Sequence, residues 1–170
     1  MATMIHEPTA DPTEIERFAI RAILLTSDRE ILLLKINPPD GAAPFWITPG
    51  GGQELGESHE DTLRRELMEE LGLQDLTMGP IVWLRQHTFN WAGKRIRQRE
   101  QYHIVHTDRF EPVMTDAIES QSLDRFHWWR ADDLDHSEER LTPVSLASIV
   151  SRYLAHGAPT EPLVLELLVD

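Results

Sequence analysis

Glu66, Glu69 and Glu70 are the residues through which this chain could do chemistry, and they lie together in RELMEELGL. Their spacing is i, i+3 and i+4, so on a helix turning about 100° per residue they occupy one face within an arc of about 100°. Like charges placed this way cost a few tenths of a kcal/mol even on an exposed helix, and more where the face is partly buried. A cation is therefore called for. Arg64 and Arg65 can supply one, which would make this an ordinary solvated face. A hard divalent ion is the other supplier: Mg²⁺ prefers oxygen ligands and is usually held by one or two carboxylates plus substrate phosphates. The chain has no cysteine, so thiolate metal sites are excluded.

The elements that would position these carboxylates are legible on either side. Pro49-Gly50-Gly51-Gly52 cannot continue a regular element, since proline fixes φ and glycine opens φ > 0; it marks a tight turn or a close approach of a ligand to the backbone. A helix is predicted to start just after Glu57, with Ser58 as N-cap and Asp61 as its reciprocal partner. Leu63, Leu67 and Leu71 give it one apolar stripe, and Gly72 ends it.

Taken whole, the stretch reads Gly51, five residues, Glu57, seven residues, Arg65-Glu66-Leu67, one residue, Glu69-Glu70, one residue, Gly72-Leu73. This resembles the Nudix box at every specified position, with the Pro-Gly-Gly lead-in such boxes usually have. The resemblance implies a three-layer α/β/α sandwich with a mixed sheet. It also implies Mg²⁺- or Mn²⁺-dependent hydrolysis of a nucleoside diphosphate linked to another group, with water attacking phosphorus. Carried over by position, Glu66, Glu69 and Glu70 are the metal-binding carboxylates and Gly51 a backbone-carbonyl ligand, while Arg65 with Glu57 orients the helix carboxylates. Such chemistry rests on positioning and charge neutralisation, which suits carboxylates that bind pyrophosphate only together with metal. Two further outcomes are compatible with the family: a catalytically silent nucleotide-binding sensor, or a hydrolase of non-nucleotide diphosphates. Marks known for particular substrates are missing, because Thr88 and Phe89 stand where ADP-ribose enzymes carry proline and Asn90 where dinucleoside-polyphosphate enzymes carry tyrosine.

Around the box, RFAIRAILL and ILLLKI read as an antiparallel strand pair, Asn37 to Pro44 as a loop, and Phe45 to Thr48 as a short strand leading to the glycines. A hairpin follows, turning at Asn90-Trp91-Ala92-Gly93. On its second strand Arg95, Arg97 and Arg99 alternate on one face, either as a solvated face or as a clamp for substrate phosphates. Glu100 on the same strand stands where many Nudix enzymes keep another metal-binding or base-like glutamate; a salt bridge to Arg97 or Arg99 is the competing account. Phe110 to Ser122 reads as a mobile loop whose Glu119 is a second candidate for general base. Leu123 to Arg130 is read as a strand with its tryptophans in the core, Thr142-Pro143 as the opening of a second helix, and PLVLELLVD as either a small strand or cover for a partner subunit in a homodimer. The histidines show no ligand spacing and are read as ordinary polar or core residues.

The balance of 29 acidic against 16 basic residues, a net −13, disfavours nucleic-acid polymers and anionic membrane surfaces, and leaves small metal-complexed anions as substrates. No stretch is apolar enough to span a membrane, and the polar start lacks a signal-peptide core, so a cytoplasmic location is expected. Residues 1–14 are expected to be a flexible tail and 15–170 one domain.

Overall fold

A computed structural model gives the architecture; it describes residues 13–116, 119–160 and 163–170. The expected tail at 1–14 thus lies almost wholly outside the described residues. Among the described residues nine strands form one curled, mixed sheet with a helix on each face. In chain order these are β1 (Ile15–Leu25), β2 (Glu30–Ile36), β3 (Phe45–Ile47), β4 (Gly50–Gly52), α1 (His59–Leu71), β5 (Ile81–Trp91), β6 (Lys94–His106), β7 (Leu123–Arg130), β8 (Arg140–Thr142), α2 (Leu146–His156) and β9 (Leu165–Val169). The path across the sheet is β8-β3-β2-β1-β6-β5-β9, with β4 paired to β1 and β7 to β2.

The near-continuous apolar run of β1 is explained by burial on both faces. Ile20, Ala22 and Leu24 pack with Leu63, Leu67 and Leu71 of α1, whereas Ile23 and Leu25 point the other way, to Leu146, Ile149 and Val150 of α2. Period two in the strand and period four in the helix meet in this way as three layers. Each fully buried leucine contributes roughly 1.5–3 kcal/mol by leaving water.

Helix α1 begins and ends as its sequence predicts. Ser58 Oγ accepts from Asp61 N–H at 3.1 Å, Asp61 Oδ2 accepts from Ser58 N–H at 3.1 Å, and Gly72 closes the helix in the left-handed region with φ 68°. Other boundaries differ. The turn between β5 and β6 is the two-residue Ala92-Gly93, both with positive φ, so Asn90 and Trp91 stay in the strand and β6 starts at Lys94. Thr142 does not cap α2, because it is already spent pairing with Ile47 as the last residue of β8; the N-cap is Ser145. In the first part of the segment expected to be mobile, Val113 and Thr115 donate their N–H groups to the Leu71 and Glu69 carbonyls of α1; residues 117–118 lie outside the described residues. Of the two readings of PLVLELLVD, the strand is observed: β9 runs parallel to β5 at the sheet edge. Among the described residues no helix is long and apolar enough to cross a membrane.

Candidate active site

The three glycines lie flat against β1 as β4, with Gly51 opposite Ile20 and Gly50 opposite Arg21. Only glycine permits this at Gly50, whose φ is +127° and where a side chain would collide with the Ile20 carbonyl. The pressed loop brings Gly51 against the face of α1. A Cβ at Gly51 would fall 2.5 Å from Glu66 Oε1, and closer still to the rest of that carboxyl. Gly50 N–H in turn donates to Glu70 Oε2 at 2.8 Å.

Arg65 ties the box together. Its Nε donates to Glu57 at 2.5 Å, one Nη to Glu66 at 2.7 Å and the other to the Gly52 carbonyl at 2.9 Å; Glu69 is a looser partner at 3.5 Å. The Arg65 hydrogen bond, helped by the Glu54 backbone, holds the Glu57 carboxyl down at about 2. Glu66 and Glu70 are buried, and Glu69 stands partly exposed at the rim. Burial and the neighbouring Glu66 charge push the Glu69 carboxyl up, as expected of an acid crowded among acids. Glu66 Oε2 is buried and has no hydrogen-bond partner. Gly51, Glu57, Arg65, Glu66, Glu69 and Glu70 are thus brought together. They do not form a ready-made cage: among the described residues no three acidic or histidine side chains converge closely enough to hold an ion alone.

Glu100 is placed beneath this loop, buried, and neither the Arg97 nor the Arg99 side chain forms an ion pair with it. It accepts from Arg21 at 3.2 Å, Arg85 at 2.9 Å, Gln98 at 2.7 Å and the Tyr102 hydroxyl at 2.7 Å. Burial pushes its carboxyl up, but Arg21 and Arg85 overcome that and hold it below the ordinary range. Arg21 also donates to the Gly50 carbonyl at 2.6 Å, linking Glu100 to the glycine loop. The side chain of Glu119 lies outside the described residues; its backbone forms a short 3-10 turn, Glu119–Gln121.

The arginines expected to clamp phosphate are engaged by other groups. Arg97 pairs with Glu14 and Glu16, Arg99 with Gln86, and Arg95 with Asn90 and the Asp170 carbonyl, on the face of β6 turned from the cleft. A cleft of about 860 Å³ opens on the other face, and the arginines lining it are Arg17, Arg21, Arg85 and Arg140. Parity decides which face is which. Tyr102 and Ile104 are core residues of β6, so Gln98 and Glu100 share the inward face and the odd-numbered arginines point out. Extending that alternation four residues along the sequence was the available signal; Arg85 and Arg140 carry none of their own, since register alone carries them to the cleft.

Comparison with known proteins agrees with this geometry. The chain matches the family model described as NUDIX domain over residues 16–149. It is 31% identical over 119 residues to a nucleoside triphosphatase, NudI, of Escherichia coli O17:K52:H18 (strain UMN026 / ExPEC), covering 66% of this chain and 82% of that one. Among solved structures it resembles a MutT NUDIX hydrolase from Burkholderia pseudomallei (25% identity, TM-score 0.56, 71% of this chain and 87% of that one). It also resembles a MutT protein from Methanosarcina mazei Go1 (19% identity, TM-score 0.60, 85% and 96%). Box, sheet and relatives agree, and the chain belongs to the NUDIX family as a pyrophosphohydrolase.

Proposed function

We propose that the chain is a Mg²⁺- or Mn²⁺-dependent hydrolase of a nucleoside diphosphate linked to another group, with nucleoside triphosphates as the first substrates to try. The carrying observation is that Gly51 and Glu70 of the box line one cleft with Arg17, Arg21, Arg85 and Arg140 in a protein of net charge −13, while Glu66 Oε2, packed behind Gly51, is buried without a hydrogen-bond partner. A cation on one side and an anion on the other answer both demands. The relatives named as nucleoside triphosphatases support the nucleotide class.

Glu66, Glu69 and Glu70 with the Gly51 carbonyl are the groups that would hold the metal, and an all-oxygen donor set fits Mg²⁺. Bound there, the ion supplies charge that offsets the pyrophosphate oxygens and acidifies water. Arg65, clamped between Glu57, Glu66 and Gly52, keeps the Glu66 carboxylate aimed at Gly51. Arg21 and Arg85 share the single carboxylate of Glu100 on the buried floor and, with Arg17 and Arg140, line the cleft that would take the anion. Glu100 already accepts four hydrogen bonds, so its part here is to fix those arginines rather than to take a proton or bind the ion. A cytoplasmic location suits such a substrate.

The test is a panel of nucleoside triphosphates, nucleotide sugars, capped nucleotides and diphosphoinositols, incubated with Mg²⁺ or Mn²⁺ and with chelator, reading the bond cut. Metal-dependent turnover of a nucleotide is expected. Tight binding of one compound without turnover of any would favour the silent sensor, and turnover in excess chelator would overturn the metal assignment.

A further inference from the structure

Across the cleft from the glycine loop, β9 delivers Asp170 to the lining. Its N–H donates to the Thr88 carbonyl at 2.9 Å, and Arg95 donates to its carbonyl at 2.7 Å, so the backbone is fixed on the end of β5. Its Oδ2 is engaged twice, by His87 Nε2 at 2.6 Å and by Arg140 at 2.9 Å. Arg85 faces the other ring nitrogen of His87, Nδ1, at 3.2 Å. An arginine only donates, so Nδ1 accepts and the proton of neutral His87 sits on Nε2, directed at Asp170. Partial burial opposes ionisation of Asp170, but His87 and Arg140 outweigh it and hold the carboxyl below its ordinary value. The side chain is partly exposed, and no hydrogen bond to its Oδ1 is made among the described residues.

The surroundings are those of a flat ring. Phe89 and Ile96 are paired across β5 and β6, Phe45 is paired with Arg140 across β3 and β8, and all four line the cleft. Gly51, Ile20, Gln101 and Leu84 form one row across the sheet. Three strand spacings, about 14 Å, separate Gly51 from Leu84 across that row, and five residues, about 16 Å, separate Leu84 from Phe89 along β5, so the apolar patch beside Asp170 lies well removed from the glycine loop in the same cleft.

We infer that Asp170 is a specificity-determining residue, its Oδ1 accepting a hydrogen bond from an exocyclic amino group of the substrate's base and thereby favouring amino bases over their oxo counterparts. A carboxylate has no proton to offer a carbonyl, and a base presenting oxygen there would meet lone pairs with lone pairs. This rests on the nucleotide reading above and goes beyond it.

The experiment is kcat/KM for two pairs that differ by an amino group against an oxo group, CTP against UTP and ATP against ITP, with the parent protein and with Asp170→Asn and Asp170→Ala. The parent is expected to prefer the amino member by about tenfold or more in at least one pair, the scale of a hydrogen bond to a charged group. Asp170→Ala should flatten that ratio. Asp170→Asn, which brings a donor of its own, should move it toward the oxo base, a reversal that a merely structural aspartate would not produce. A parent ratio near one in both pairs overturns the inference without any variant, as does a ratio that both variants preserve, or a preference that follows the sugar hydroxyls in deoxynucleotide controls. Failure of the parent to turn over any nucleotide would instead remove the underlying reading, and this inference with it.

Discussion

Gly51→Ala is the sharpest test of the box, because its effect can be worked from a single contact. The added Cβ would stand 2.5 Å from Glu66 Oε1 and nearer still to the rest of the carboxyl, whereas ordinary contact begins at 3.4 Å, so the carboxylate must retreat by at least about 0.9 Å. It is buried and held by Arg65 at 2.7 Å, so retreat weakens that bond. A hydrogen bond between charged groups is worth about 1.5–3 kcal/mol, and in a protein of this size that lowers the melting temperature by roughly 3–12 °C. Misplacing a reacting group by about 1 Å costs on the order of 10²-fold in rate. Gly56→Ala is the control: its φ of +85° makes alanine strained, by about 1–3 kcal/mol, but no atom lies within 4 Å of the new Cβ. The control should melt lower and keep its turnover; Gly51→Ala should melt lower and lose it. Steady-state rates at a temperature where both remain folded decide the matter. Turnover by Gly51→Ala within threefold of the parent would refute the placement of the Glu66 carboxylate as chemically important.

Glu69→Gln removes one of the crowded charges, so without metal the protein should melt at the same temperature or slightly higher, and calorimetry with Mg²⁺ should show the metal-induced rise lost together with activity; a lower metal-free melting temperature with full turnover would mark Glu69 as a surface salt-bridge partner. Glu100→Gln strands Arg21 and Arg85 in a buried floor, and urea unfolding should report a loss of about 3–5 kcal/mol; a loss under 1 kcal/mol would contradict the paired-charge description. Glu57 and Glu100 are both held below their ordinary pKa, so the stability they contribute is present above about 4.5 and lost as pH falls toward 2, while Glu69, shifted the other way, is relieved by protonation in mild acid. The urea midpoint should therefore decline below about pH 6.5, where burial keeps His87 and His103 neutral only in the folded state, and fall further below 4.5; a midpoint that rises steadily down to pH 3 would show the sign to be wrong. Arg97→Ala and Arg99→Ala should leave kcat/KM within a factor of two, since neither side chain lines the cleft; a tenfold loss would return them to the substrate.

The box and its helix were legible in sequence because everything that shapes them is local. The cap is made by Ser58 and Asp61 three residues apart, the stripe by leucines four apart, the stop by Gly72, and the carboxylates by one helical face. Alternation likewise disclosed the strands, and β1's uniform apolarity announced a strand covered on both sides. The far side of the cleft was decided elsewhere. Whether an arginine on β6 faces substrate or solvent depends on the parity of its pairing, and a shift of one residue reverses it. Arg21, Arg85, Gln98 and Tyr102 come from three strands to surround Glu100, and Asp170 reaches His87 over a separation of 83 residues. No window of sequence contains such a contact. Short-range rules determined which groups could hold a cation, and the tertiary pairing of β1, β5, β6 and β9 alone decided what faces it across the cleft.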